Sequence, residues 1–292
     1  LYEELYVADI DGGKEFGDPL LADTNIIIFQ DRAYAGLATR YADVVFGRDR
    51  LGWGRGATGT LLLSPTARPF THLRLSRTFF GGRFHAVMVN GVLNRAEGRY
   101  VAFHRLDWAP GRRIRIGLAE GARYDASGFE PLYLAGIIPY PVVGRLLERD
   151  NEDRATDEAV RNNVMWDADF SVKATRGLDL YGEILLDDVG TGASGIPTRL
   201  AYQLGALAAR DLGGRPATLR LEWTRVWRYV YGVFYEADFV HEGVPLGYSQ
   251  GPDSRAVHAR AGLEVRPGLE LGAIGERIDR GEDGLGIFWN PD

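Results

Sequence analysis

The chain has no cysteine, which removes disulfide frameworks, thiolate zinc sites and cysteine nucleophiles together and is compatible with any compartment. It is almost without lysine, only Lys14 and Lys173, so its positive charge is carried by arginine. The formal charge of −6 argues against the net positive footprint that a nucleic-acid partner requires. Long apolar runs are missing too. The best, Tyr133 to Val143, contains Pro139 and Pro141 and falls short of the roughly 18 to 20 residues of a membrane helix. The chain opens on Leu-Tyr-Glu-Glu, without a basic or apolar leader, so a secretion signal has been removed or never existed.

What is present is glycine and aromatic side chains. The 38 glycines among 292 residues are nearly twice the ordinary share of roughly 7% and show no three-residue period, so collagen and disorder are excluded. With 6 Trp, 14 Tyr and 13 Phe, the composition favours strands and turns. Arginine presents a planar fork of donors suited to carboxylates and sugar hydroxyls.

The hydrophobic pattern has period two. In Leu178 to Asp187 one face reads Leu178, Leu180, Gly182, Ile184, Leu186 and the other Asp179, Tyr181, Glu183, Leu185, Asp187. Ala217 to Val230, Arg113 to Glu120 and Val257 to Val265 alternate similarly. Further strands are expected at 39–46, 70–80, 83–93, 99–108, 169–175, 199–209 and 268–278. Turn signals are Gly81-Gly82, Asn90-Gly91, Pro110-Gly111, Gly213-Gly214 and Pro267-Gly268. About a dozen strands of roughly ten residues exceed the usual five or six and match the 9 to 11 that a tilted outer-membrane strand needs. The expectation is one all-β domain over 1–292, a transmembrane up-and-down antiparallel β-barrel of about 12 or more strands. Its greasy rows face lipid and its arginine and acid rows face a wet lumen, with Trp108, Trp223, Trp227, Tyr229, Tyr231 and Phe234 as interfacial girdles. A large soluble β-protein, with the apolar rows inside, is the alternative. The charged stretch Gly144 to Asn163 breaks the rhythm and reads as an irregular insertion, a solvated loop or short helix on a rim or in the lumen.

Gly54-Arg55-Gly56-Ala57-Thr58-Gly59 fits G-x-G-x-x-G, but Pro65 and Pro69 leave no room for the helix a dinucleotide site needs, so it reads as a turn. His72, His85, His104, His241 and His258 form no metal-ligand pair, and Ser194 lies in no nucleophile elbow. Asp9, Asp11 and Asp18 lack EF-hand spacing and read as a polar turn. No metal, cofactor or catalytic residue is therefore expected. The informative cluster is His104, Arg105, Asp107 and Trp108 followed by Arg113, Arg115 and Glu120. With Tyr124 and Tyr181 as amphipathic plates, these side chains form either a lumen network of ion pairs or a glycan-binding mouth.

The order His104-Arg105-Leu106-Asp107, Ile116-Gly117-Leu118-Ala119-Glu120, Asn162-Asn163 (or Asp150-Asn151) with Asp167 and Asp169, then Leu180-Tyr181-Gly182-Glu183-Ile184-Leu185-Leu186-Asp187-Asp188 resembles the capsule assembly protein Wzi family. His241 to Gly247 and Gly251 to Ser254 are similar to its C-terminal Gly-rich segment, and the resemblance runs over 46–276. It implies an outer-membrane barrel of a Gram-negative bacterium that anchors capsular or other surface polysaccharide without catalysis, with polysaccharide and outer-membrane lipid as partners. Glycan-binding or lumen residues would be His104, Arg105, Asp107, Arg113, Arg115, Glu120, Tyr124, Asn163, Tyr181, Glu183, Asp187 and Asp188. The family's barrel is larger than a dozen strands and has a helical N-terminal element that is not readable here, so the chain is either incomplete or a smaller relative. The final Phe288 to Asp292, which does not end on an aromatic, fits a missing last strand. Rivals are a passive porin and a barrel hydrolase.

Overall fold

The computed structural model describes residues 2–9, 26–128, 130–134, 138–153, 162–188, 197–233 and 237–287. Thirteen strands form one antiparallel sheet in which each strand pairs with its neighbours in sequence. They are β1 (Tyr2–Asp9), β2 (Ile26–Ala38), β3 (Asp43–Asp49), β4 (Phe70–Phe79), β5 (Phe84–Asn94), β6 (Arg99–Trp108), β7 (Ile114–Asp125), β8 (Asn162–Thr175), β9 (Leu178–Asp188), β10 (Arg199–Asp211), β11 (Pro216–Val226), β14 (Ser254–Arg266) and β15 (Leu269–Arg280). Between β11 and β14 a two-stranded ribbon, β12 (Val240–His241) and β13 (Val244–Pro245), stands apart from the wall. One helix, α1 (Tyr140–Asp153), follows a 3₁₀ turn at Pro131–Leu134. Strands β1 and β15 are the two edges among the described residues.

The sheet inverts the rule for a soluble sandwich. Leu180, Ile184, Leu219 and Leu221 are 39%, 43%, 44% and 49% exposed, while Glu183, Arg105, Gln203 and Glu222 are buried. Alternation fixes this, because successive side chains point to opposite faces of a strand. Such a wall is stable only where lipid takes the place of water outside. Aromatic rings stack across three strands at one rim, Phe79 on Phe84 at 5.7 Å and Phe84 on Trp108 at 6.4 Å. Trp108, Trp223 and Trp227 are exposed, as girdle residues should be. Tyr231 is not one: it is fully buried in the lumen. Tyr229 lies in the inserted segment after β11, and Phe234 lies outside the described residues.

The long connections, 50–69, 126–161 and 227–253, gather at one rim, which also carries the short turn 95–98. At the other rim the strands are joined by tight turns, such as 80–83, 176–177, 212–215 and 267–268. Outer-membrane barrels keep short turns on the periplasmic side and long connections outside, which orients the wall. The Asn90-Gly91 signal is not a turn but lies inside β5. There the missing side chain admits the Phe70 ring, whose Cδ2 would sit 2.6 Å from a Cβ on Gly91. Two long connections fold back into the lumen. Leu61, Leu62 and Leu63 of one and Tyr231, Phe239, Leu246 and Tyr248 of the other pack with the inward-facing Val101, Phe103, Met165 and Leu185.

The lipid-facing assignment has a direct test. Ile184→Arg, at the middle of β9, should destabilise the barrel in vesicles by about 2–4 kcal/mol, as basic residues at a bilayer midplane do. Unchanged urea unfolding in lipid would contradict it.

Candidate functional site: a plugged lumen and its rim

Alternation sends Arg105 and Asp107 of β6, Asp167 and Asp169 of β8, and Tyr181 and Glu183 of β9 to the inner face, where neighbouring strands place them side by side. The Arg105 guanidinium donates from Nε and Nη2 to Asp107 Oδ1 at 3.1 and 2.7 Å, and its Nη1 lies 2.5 Å from Asp169 Oδ2. Trp53 of the 50–69 segment caps it, with its ring centre 5.8 Å from the Arg105 Cζ. One guanidinium thus balances two carboxylates and touches the plug.

The other carboxylates hold the plug directly. Glu183 Oε1 accepts the backbone N–H groups of Leu61 and Leu62 at 2.6 and 3.3 Å. Glu222 accepts the N–H groups of Ala57 and Thr58 at 2.7 and 3.1 Å, the Thr58 hydroxyl at 2.7 Å and the Tyr181 hydroxyl at 2.6 Å. Tyr181 reaches it because its partner across the ladder is Gly205, where a Cβ would meet the Tyr181 ring at 2.1 Å. The G-x-G-x-x-G run is therefore an anion cradle after all, but its anion is a wall carboxylate.

Tyr231 joins the two inserted segments. Its hydroxyl donates to Leu61 O at 2.6 Å and accepts from Tyr248 N at 3.0 Å. Its backbone N–H donates to Asp187 Oδ2 at 2.7 Å, and its carbonyl accepts from Asn163 Nδ2 at 3.3 Å. These contacts fix a bulky residue at φ 73°, a conformation that costs roughly 1–3 kcal/mol. Burial raises the Tyr231 hydroxyl pKa, keeping it a neutral donor. Burial likewise lowers the pKa of His241 in the ribbon, so it stays neutral and its Nε2 bonds Pro69 O at 3.2 Å.

Of the residues expected from sequence, Arg105, Asp107, Asn163, Tyr181, Glu183 and Asp187 meet in the lumen; Arg105, Asn163, Glu183 and Asp187 contact the plug, and Tyr181 reaches it through Glu222. Arg113 and Arg115 are exposed near the short-turn rim, and Asp188 lies at the opposite rim, 3.5 Å from Arg199. His104, Glu120 and Tyr124 are not in the lumen. They share a face with the exposed Leu106 and Leu118, the outer one, and are covered there by the 3₁₀ turn and α1. Tyr124 stacks on Tyr133 at 4.2 Å, and His104 lies 4.5 Å from the Tyr140 ring. Glu120 accepts from Tyr140 N at 2.9 Å and from Trp166 Nε1 at 2.6 Å, and its Oε2 lies 2.9 Å from His104 Nε2. The insertion near 144–163 is thus helical through Asp153 and lies against the outside of the wall, not in the lumen. Residues 154–161 are outside the described ones, as are Asp11, Asp18, Ser194 and the 288–292 tail. Sequence reasoning missed Trp53, Trp166, Gln203 and Glu222 as site residues. The signal for Glu222 was its place on the polar row of a recognised strand.

At the long-connection rim a cleft of about 400 Å³ opens between the ribbon, residues 249–252 and residues 280–285. Glycines expose its backbone groups, and Gln250, Arg280, Glu282 and Asp283 supply polar side chains. No group of three or more His, Asp or Glu residues poised to hold a metal occurs among the described residues.

An antiparallel wall with an apolar exterior and a lumen closed by its own long connections defines a plugged β-barrel of the outer-membrane type. A model of the capsule assembly protein Wzi family matches residues 27–290, and the chain belongs to that family. The fold is similar to the solved structure of Wzi, an outer-membrane protein involved in group 1 capsule assembly in Escherichia coli and a carbohydrate-binding β-barrel. The TM-score is 0.67 and the identity 16%, over 93% of this chain. The chain spans 60% of the length of that protein. No curated protein matches the sequence.

Proposed function

We propose that this chain is an outer-membrane barrel that binds and anchors capsular or other surface polysaccharide, without catalysis. The observation that carries the reading is the plug. The described residues of segments 50–69 and 227–253 pack into the lumen beneath the long-connection rim and are tied to the wall by Glu183, Glu222 and Asp187. A porin needs that path open. Around the rim cleft the plug presents glycines and the Gln250 amide, and residues 280–285 add the Arg280 guanidinium and the Glu282 and Asp283 carboxylates, groups that exchange hydrogen bonds with sugar hydroxyls. Three of the lumen carboxylates, Glu183, Glu222 and Asp187, are occupied as acceptors for plug N–H groups, and Asp107 and Asp169 by Arg105.

The test pairs two measurements. In a strain deleted for the protein, restoring it should return polysaccharide from the medium to the cell surface, and the purified barrel should show little conductance in planar bilayers. Open conductance with unchanged capsule retention would make it a porin instead.

A further inference from the structure

A second cleft, of about 420 Å³, lies where α1 overhangs the rim ends of β8 and β9, running from the outer row over the rim to Asp187 and Val233. Trp166, Leu186, Asn162, Asp188 and Arg145 are among its walls. We propose that this cleft binds an uncharged hexose unit of a surface glycan, with the Trp166 ring as its stacking platform. The inference deepens the binding reading above and rests on it.

The platform is built before any ligand arrives. Trp166 is 47% exposed, and no other ring packs on it among the described residues. Its indole N–H donates to Glu120 at 2.6 Å, and Glu120 is itself held by the Tyr140 N–H at 2.9 Å and by His104. A half-exposed ring whose rotation is already fixed loses little freedom on binding. Glu120 is thus a positioning residue: it acts on the ligand only through Trp166.

The surrounding groups fit a pyranose. Its C–H face packs on an aromatic plane, and its equatorial hydroxyls need acceptors and donors at the rim of that plane. Asp188 is 48% exposed and keeps free lone pairs beyond its 3.5 Å contact with Arg199. Arg145 is exposed and has no carboxylate partner among the described residues. The lining holds two carboxylates, Asp187 and Asp188, and one guanidinium, Arg145, with Arg199 beside Asp188, so no excess of positive charge selects a phosphate or a uronate. Height matters as well. The outer rows of β8 and β9 run from Phe170 and Ile184 through Trp166 and Leu186 to Asn162 and Asp188, changing from apolar to polar at the cleft. A sugar seated there lies at the lipid–water boundary, where tryptophan is favoured. It can come from free capsular polysaccharide or from the sugar part of a glycolipid in the outer leaflet.

The test uses the whole barrel, checked for heat-modifiable gel mobility. One arm titrates it in detergent with oligosaccharides cleaved from the strain's capsular polysaccharide; the other measures its retention of lipopolysaccharide from a capsule-free strain in vesicles. Trp166→Ala should lose about tenfold in affinity in at least one arm, as buried aromatic anchors do. Arg145→Ala, an exposed change that leaves folding intact, should lose severalfold in the same arm. Glu120→Gln, which keeps one acceptor for the indole but turns its NH₂ toward the Tyr140 N–H, should retain most of the affinity, whereas Glu120→Ala should follow Trp166→Ala. The arm that responds identifies the source of the sugar. Wild-type binding that Trp166→Ala and Arg145→Ala leave unchanged overturns the cleft but not the binding function. A wild-type barrel that binds neither glycan overturns both.

Discussion

Replacing Glu222 with alanine should unseat the plug. Two backbone N–H groups, the Thr58 hydroxyl and the Tyr181 hydroxyl all lose their shared acceptor at once. A buried donor stripped of its acceptor costs roughly 1–3 kcal/mol, and water entering from the open end recovers part of that, so a loss of about 3 kcal/mol or more is expected. The side chains of Arg55 and Arg68 are already exposed, but a protease needs pliable backbone, so release of the 50–69 segment should make it a trypsin substrate at these two residues, and the lumen should begin to conduct ions. Glu222→Gln should fall between the two, because its amide retains one oxygen but turns an NH₂ toward a donor. Trypsin resistance and a closed lumen in Glu222→Ala would mean that packing of Leu61 to Leu63 alone holds the plug.

Arg105→Ala should be equally severe for a different reason. It leaves Asp107 and Asp169 facing each other across β6 to β8 with no cation between them, and it removes the contact with Trp53. Breaking a buried ion pair from one side costs about 3–5 kcal/mol, since the stranded charge remains desolvated. Arg105→Lys should rescue little, because an ammonium cannot span both carboxylates and lie under the indole as a planar fork does. Unfolding in urea, followed in lipid, reads the loss. Equal stability of Arg105→Ala and wild type would show that the lumen is wet enough to screen the pair.

The wall was legible because its periodicity is local. Arg99 to Trp108 is β6 as read, and Leu178 to Asp187 differs from β9 by one residue. Strand β8 begins at Asn162, seven residues before the expected start, because its first half adjoins the charged insertion and carries Asn, Asp and Trp rather than a greasy row. The same period could have corrected the site. Glu120 shares parity with Ile114 and Leu118, and His104 with Leu106 and Trp108, so strict alternation sends both outward. Their polarity suggested a lumen; an external helix that shelters polar groups on a lipid-side face leaves no trace in a period of two. The plug was illegible for a further reason. The acceptors of Ala57 and Leu61 lie at positions 222 and 183, and nothing in a turn-like Gly-rich run reports a partner so far along the chain.

The distance from Ala57 to Glu222, 165 residues of chain, also orders assembly. The inserted segment has nothing to dock on until β11 is in place, and contacts of such long range are slow to form. While the chain is being assembled into the membrane, the wall must therefore stand first as an unobstructed, water-filled sleeve, and the seal arrives last.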